Sequence, residues 1–187
     1  LALGKACDAV ILCVTGSPEV ENAIHGEYGL MGAVRPGFII ADCSTAEPDA
    51  TVRLAAELAK SGITLVDTPL TRTPKEAEAG RLGMMTGGDP GILSRIRPVM
   101  DSFADTIIHA GPVGSGHRLK LINNFLSLSH AAIAAEAIAV AAKAGVSMQA
   151  LMDIVVAGGA NSVMFERLIK LPLEGDDSAA KFAIVNA

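Results

Sequence analysis

Short apolar runs alternate with longer amphipathic ones along most of the chain. Residues 8–14 (DAVILCV), 37–42 (GFIIAD), 63–67 (ITLVD) and 81–87 (RLGMMTG) are brief and rich in Val, Ile, Leu and Met, which predicts buried strands. Each is followed by turn residues and then by a helical pattern. Ser17 with Pro18 and Glu19 opens one helix, Pro48 opens another that runs to about Lys60, and Gly87-Gly88-Asp89-Pro90 opens a third that runs to about Phe103. A last short strand is expected at 105–109. Strand–helix alternation of this kind predicts an α/β fold with a parallel or mostly parallel sheet covered by helices.

The pattern changes after Gly111-Pro112-Val113-Gly114-Ser115-Gly116. One helix is expected from there to Ala144, without an internal Pro or Gly, and Gly145 stops it. Shorter helices are predicted at about 148–157 and 161–170, with another starting near Ser178. This places an α/β domain at 1–112 and the start of an all-α domain at 113–187.

Two predicted strands end in an aspartate followed by small hydroxyl residues, Asp42-Cys43-Ser44-Thr45 and Asp67-Thr68. In open α/β sheets ligands bind at the carboxyl ends of strands. The clearest chemistry lies in the long helix. Lys120, Asn123 and Asn124 stand at i, i+3 and i+4 and share one face, which Ser127, Ala131, Ala134 and Ala135 continue. A partly buried lysine near a helix start has its charged form disfavoured by desolvation and by the helix dipole, which suits it to proton transfer. The ordinary alternative is an exposed lysine at a polar helix start.

Composition narrows the function classes. The chain of 187 residues carries a formal charge of −5, is 50% hydrophobic and only 3% aromatic, and has a mean hydropathy of +0.43. A core is expected, and with no Lys/Arg cluster neither nucleic acid nor an anionic membrane is an expected partner. Lys120, Asn123, Asn124, His130, Glu136 and Lys143 also argue against a membrane span in the most apolar stretch, 119–144. The cysteines are Cys7, Cys13 and Cys43. They lack metal-site spacing, so no metal is expected, and Cys13 and Cys43 are expected to be buried free thiols in a reducing cytoplasm.

Three motifs give these features a context. Asp42-Cys43-Ser44-Thr45-Ala46-Glu47-Pro48 resembles the D-x-S-T-x-x-P turn of the beta-hydroxyacid dehydrogenases, the family of 3-hydroxyisobutyrate dehydrogenase, tartronate semialdehyde reductase and, more distantly, 6-phosphogluconate dehydrogenase. Asp67-Thr68-Pro69-Leu70, with Ala79-Gly80-Arg81-Leu82 and Met85-Thr86-Gly87-Gly88, resembles its D-A-P-V…G-x-L…M-x-G-G stretch. Gly111 to Asn124 resembles its G-x-x-G-x-G-x-x-x-K-x-x-N-N motif.

The resemblance implies the later part of a Rossmann-type NAD- or NADP-binding domain, joined by a long interdomain helix to an all-α domain that makes a homodimer or homotetramer. It implies a small 3-hydroxyacid or semialdehyde substrate, with Lys120 exchanging a proton with its hydroxyl. Asn124, and less directly Asn123, would place the substrate. Thr45 would contact the cofactor, Val14-Thr15 would lie beside the dinucleotide, and Glu19 would line the same site. The family's substrate-binding Ser-Gly-Gly is here Thr71-Arg72-Thr73. The new guanidinium of Arg72 suggests a substrate with an added or shifted acidic group; otherwise Arg72 faces solvent or pairs with Glu76 or Glu78. The family's phosphate-cradling G-x-G-x-x-G is not in these residues, which is expected if the family's first strand precedes Leu1. The other class weighed is a non-catalytic dehydrogenase-like module, which need not keep Lys120.

Overall fold

The computed structural model describes residues 2–178, and the helix expected near Ser178 lies at the edge of that range and beyond it. The chain forms two compact units that divide between Leu121 and Ile122. The boundary expected at 112/113 marks the approach to the long helix, and the division falls a little way inside that helix.

The first unit holds six strands: β1 (Ala9–Leu12), β2 (Ile39–Asp42), β3 (Thr64–Asp67), β4 (Leu70–Thr71), β5 (Leu82–Gly87) and β6 (Ala104–Gly111). Its helices are α1 (Ala2–Ala6), α2 (Ser17–His25), α3 (Pro48–Ala59), α4 (Pro74–Glu78), α5 (Pro90–Met100) and the start of α6 (Ser115–Lys143). Strands β1, β2 and β3 are parallel, with Leu12, Asp42 and Asp67 side by side in register. Strand β5 then runs antiparallel to β3 and β4, and β6 runs parallel to β5. The sheet is therefore mixed. The reversal occurs because β3 and β4 share one line along β5, pairing Asp67 with Gly87, Leu70 with Met84 and Thr71 with Gly83. Pro69, which has no N–H to donate, sits at the interruption and accepts from Met85 N at 3.0 Å.

Both faces of the central strands are covered, as their continuous apolar runs require. Ile40 and Leu65 pack with Val20 and Ile24 of α2 and Leu54 and Leu58 of α3. Ile39, Ala41 and Val66 point the other way, onto Leu93, Ile96 and Met100 of α5. Alternate residues of β2 thus feed two separate cores, and the whole strand is buried.

Several expectations are corrected. Strand β1 is only half-buried, with Ile11 38% exposed, because it pairs with β2 alone among the described strands. For the same reason Cys13 is exposed, whereas Cys43 is buried. Ser17 does not cap α2; Gly16 holds that position, and the Ser17 hydroxyl instead accepts the Glu47 N–H at 2.8 Å. The sequence pattern gave no sign of β4 or α4, both too short to show a period.

The second unit packs α6, α7 (Met148–Ala157), α8 (Val163–Leu168) and α9 (Lys170–Glu174) around Ala134, Phe165 and Ile169. The helix expected at 161–170 is thus two short ones, the first capped by Ser162, whose hydroxyl accepts from Phe165 N at 3.1 Å. By length and composition α6 is also apolar enough to cross a membrane. Its first turn, however, is fastened into the α/β unit by buried polar contacts.

Candidate functional site

The parallel register of β1–β3 delivers three chain segments to one edge of the sheet, and hydrogen bonds join them there. Thr68 N donates to Asp42 O at 2.7 Å, and Cys43 N to Leu12 O at 2.8 Å. Ser44 has every polar atom engaged. Its N–H donates to Asp42 Oδ1 at 2.9 Å, its hydroxyl accepts from Val14 N at 3.0 Å, and its carbonyl lies 3.1 Å from His117 Nε2. The Cys43 thiol, 3.2 Å from the Thr68 hydroxyl, is pushed up to about 12 by burial, so it stays protonated and inert at neutral pH.

The cofactor-side residues expected from sequence gather at this edge. A Cβ built on Gly16 would lie 3.6 Å from Glu19 Oε2 and 3.8 Å from Thr45 O, so Glu19 and Thr45 converge on the turn that follows Val14-Thr15. Thr15 and Glu19 are exposed, while Val14 and Thr45 are half-buried. The Ser17–Glu47 bond ties the same two loops together.

Strand β3 supplies the anchor of α6. Asp67 is fully buried, and its two carboxylate oxygens accept from Gly114 N at 2.7 Å and His117 N at 2.9 Å. A helix start has backbone N–H groups without intrahelical partners and a positive dipole end, and this carboxylate satisfies both. The approach is close enough to require glycine: a Cβ on Gly116 would meet Met85 O at 2.5 Å, Asp67 Oδ2 at 2.8 Å and Gly87 N at 3.0 Å.

His117 is fully buried beside that anchor. Nε2 faces Ser44 O at 3.1 Å and Nδ1 faces the Thr51 hydroxyl of α3 at 2.8 Å. A carbonyl can only accept, so Nε2 carries the proton; the Thr51 hydroxyl also lies 3.1 Å from the Glu47 carbonyl, and its single proton serves either that oxygen or Nδ1. Asp42 Oδ2 is 3.9 Å from Nε2.

Lys120 stands one turn further along α6. It is half-buried, and desolvation lowers its pKa from the usual lysine range. Burial is the cause; the helix dipole invoked from sequence is already met by Asp67. Among the described residues no carboxylate forms an ion pair with Lys120. Asn123, Asn124 and Ser127, on its face of the helix, are likewise half-buried, whereas Ile122, Phe125 and Leu126 are exposed at 58%, 70% and 52%. This part of α6 therefore shelters its polar stripe more than its apolar one.

Thr71, Arg72 and Thr73 lie elsewhere. They flank the start of β5, opposite Gly83, while Asp67 faces its end at Gly87. Four strand residues separate the two levels, about 14 Å at ~3.4 Å per residue. Arg72 is engaged within the protein. Its guanidinium donates to Asp105 Oδ1 at 2.6 Å, to the Thr106 hydroxyl at 2.9 Å and to the Arg81 carbonyl, and its backbone has φ 83°, a left-handed value uncommon outside glycine. The acid it engages is thus Asp105, on a strand remote in sequence. The Thr73 side chain caps α4, bonded to Glu76, whose carboxylate also accepts Thr73 N at 3.0 Å. Thr71 is half-buried at the end of β4.

Sequence reasoning passed over Ser44, Thr51, Asp67 and His117 as individual site residues. The Asp42 and Asp67 strand ends had been marked as a region, and His117 lies inside the quoted helix motif. The pairing of Thr51 with His117 had no signal, because 66 positions separate them.

Comparisons with known proteins bear on the family. Residues 2–111 match the NAD binding domain of 6-phosphogluconate dehydrogenase, and residues 114–186 match the NAD-binding region of NADP-dependent 3-hydroxyisobutyrate dehydrogenase. The chain is 30% identical over 182 residues to 2-(hydroxymethyl)glutarate dehydrogenase of Eubacterium barkeri, covering 97% of this chain and 60% of that protein. It is 32% identical over 175 residues to L-threonate dehydrogenase of Cupriavidus necator, covering 93% and 59%. The crystal structure of 3-hydroxyisobutyrate dehydrogenase from Salmonella typhimurium superposes with a TM-score of 0.80 at 27% identity, over 94% of this chain and 61% of that one. The chain thus spans about 60% of the length of the curated relatives it matches. On the two family matches and the shared fold, the chain belongs to the beta-hydroxyacid dehydrogenase family, whose first domain binds NAD or NADP.

Proposed function

We propose that the protein is an NAD(P)-dependent oxidoreductase that interconverts a small 3-hydroxyacid and its semialdehyde or oxoacid, with Lys120 as general acid–base. The observation that carries this reading is a half-buried lysine, its pKa lowered by burial, one turn from a helix start that Asp67 and His117 fix to the strand-end edge. Two relatives named for hydroxyacids, 2-(hydroxymethyl)glutarate and L-threonate, support the substrate class.

The dinucleotide, when bound, accepts or supplies the hydride. The residues at the strand-end edge suit it: Gly16 leaves open the point where Glu19 and Thr45 converge, and Val14, Thr15 and Thr45 offer backbone and hydroxyl groups. In the oxidative direction neutral Lys120 takes the proton from the substrate hydroxyl; in reduction the ammonium returns it. Asn124, one helical turn beyond Lys120, donates to the substrate hydroxyl or carboxylate, and Asn123 borders the same face. A homodimer or homotetramer formed through the all-α unit, and a cytoplasmic location, belong to the same reading.

The test is nicotinamide absorbance with the full-length protein on a panel containing 3-hydroxyisobutyrate, L-threonate and 2-(hydroxymethyl)glutarate. Turnover of at least one substrate, lowered by about 10²–10⁴ in Lys120→Ala, is expected. Cofactor binding without any turnover would favour a non-catalytic module, and full activity in Lys120→Ala would remove the lysine from the mechanism.

A further inference from the structure

Proton transfer by Lys120 leaves a fully buried imidazole on the same helix without a task. We infer that His117 is a positioning residue: it locks the rotation of the Lys120 turn of α6 against the Ser44–Thr45 segment. This rests on the reading of Lys120 and Thr45 given above.

The argument begins with what His117 touches. Its backbone N–H is held by Asp67 on β3, and its ring bridges Ser44 after β2 and Thr51 on α3. Asp67 fixes where the helix starts, Gly116 seats it against β5, and Arg118 reaches Asp49 of α3 from the exposed side. The ring of His117 adds a buried attachment out along a side chain and onto a different strand, which resists rotation with a longer lever arm.

Ser44 is a rigid stop for this contact. Its remaining polar atoms are tied to Asp42 and to Val14, so the imidazole pushes against two strand ends together. The neighbouring charges are Asp42, 3.9 Å from Nε2, and Asp67, which is occupied by the Gly114 and His117 N–H groups. An aliphatic residue would fill the same space, but it would leave the Ser44 carbonyl without its ring donor, while the Thr51 hydroxyl kept the Glu47 carbonyl at 3.1 Å.

The gain is precision at the reacting atoms. Side-chain ends lie about 6 Å from a helix axis, so a rotation of ~10° moves them by ~1 Å. A misplacement of about 1 Å costs on the order of 10²-fold in rate. A single hydrogen-bonded ring is therefore enough to separate a productive lysine from an idle one.

The test compares His117→Gln with His117→Asn in the full-length protein. The Gln amide reaches the level of Nε2 and can donate to Ser44 O; the Asn amide reaches only Nδ1. His117→Asn is expected to lower kcat by about 10–100-fold. It should also raise the primary deuterium isotope effect measured with C-deuterated hydroxyacid, while cofactor Kd changes by less than about threefold. His117→Gln is expected to recover kcat to within about fivefold of the parent. Should His117→Asn fail to fold, Thr51→Val replaces it, with a smaller fall in kcat and the same rise in isotope effect. Equal kcat in the folded Asn and Gln variants, or a loss of Tm with no change in isotope effect, overturns the proposal. Lys120→Ala is assayed in parallel. If it is inactive while the His117 variants match the parent, only the positioning role falls; if it is active, the reading beneath it falls too.

Discussion

Asp67 Oδ2 accepts the backbone N–H of His117 at 2.9 Å, joining the last residue of β3 to the first turn of α6. The other oxygen takes Gly114 N, so one buried carboxylate caps the helix that carries Lys120. Hydrogen bonds to a charged group contribute about 1.5–3 kcal/mol each. Asp67→Ala is therefore expected to destabilise the protein by about 3 kcal/mol or more, read as a lower denaturant midpoint, with Asp67→Asn in between. An unchanged midpoint would mean that both N–H groups find other acceptors.

Gly116 sets how closely that helix start approaches the sheet. The atoms a Cβ would meet, Met85 O and Gly87 N among them, belong to the backbone of β5 and cannot swing aside. Gly116→Ala is expected to cost about 1–3 kcal/mol through overpacking. It should also lower kcat through displacement of Lys120. Thermal unfolding and steady-state kinetics check the two parts; parental values in both would show that α6 does not depend on this contact.

The pH behaviour of Lys120 follows from the direction of its shift. Burial lowers its folded pKa below the usual lysine value of 10.5, so the unfolded chain binds more protons in the interval between the two. The burden of this lysine on stability is full below the folded pKa and fades as pH rises through it toward 10.5. Lys120→Met should accordingly be more stable than the parent at neutral pH, with the difference shrinking in alkali. In the oxidative direction kcat/KM should rise with pH, with an inflection below 10.5 that is absent from the residual activity of Lys120→Ala. Identical inflections in the two proteins would assign the titration to another group.

Arg72 is committed to β6. Asp105 is held below the usual carboxylate range, first by the Thr106 hydroxyl and then by Arg72 and Arg81. Arg72→Ala should raise the Asp105 pKa, followed by NMR titration, without returning it fully to 3.8. The preference between mono- and dicarboxylic hydroxyacids should not change. A selective loss of dicarboxylate turnover would show that Arg72 leaves Asp105 to meet the substrate.

Much of this protein was legible in its pattern. Continuous apolar runs marked β2, β3 and β5, because strands buried on both faces must be apolar on both. Helices α3, α5, α6 and α7 were marked by period, proline and caps, since those are local preferences of a few neighbouring residues. Lys120, Asn123 and Asn124 could be placed on one face for the same reason: a helix fixes that relation within one turn. What depends on partners distant in the chain was not legible. The exposure of Cys13, the reversal of β5, the turn of Arg72 toward Asp105 and the capture of His117 by Ser44 and Thr51 follow from strand order and helix docking. The sequence by itself therefore determined which helix carries Lys120. Only the tertiary structure decided how that helix is held, because hydrogen bonds across tens of residues exist only after the strands have paired.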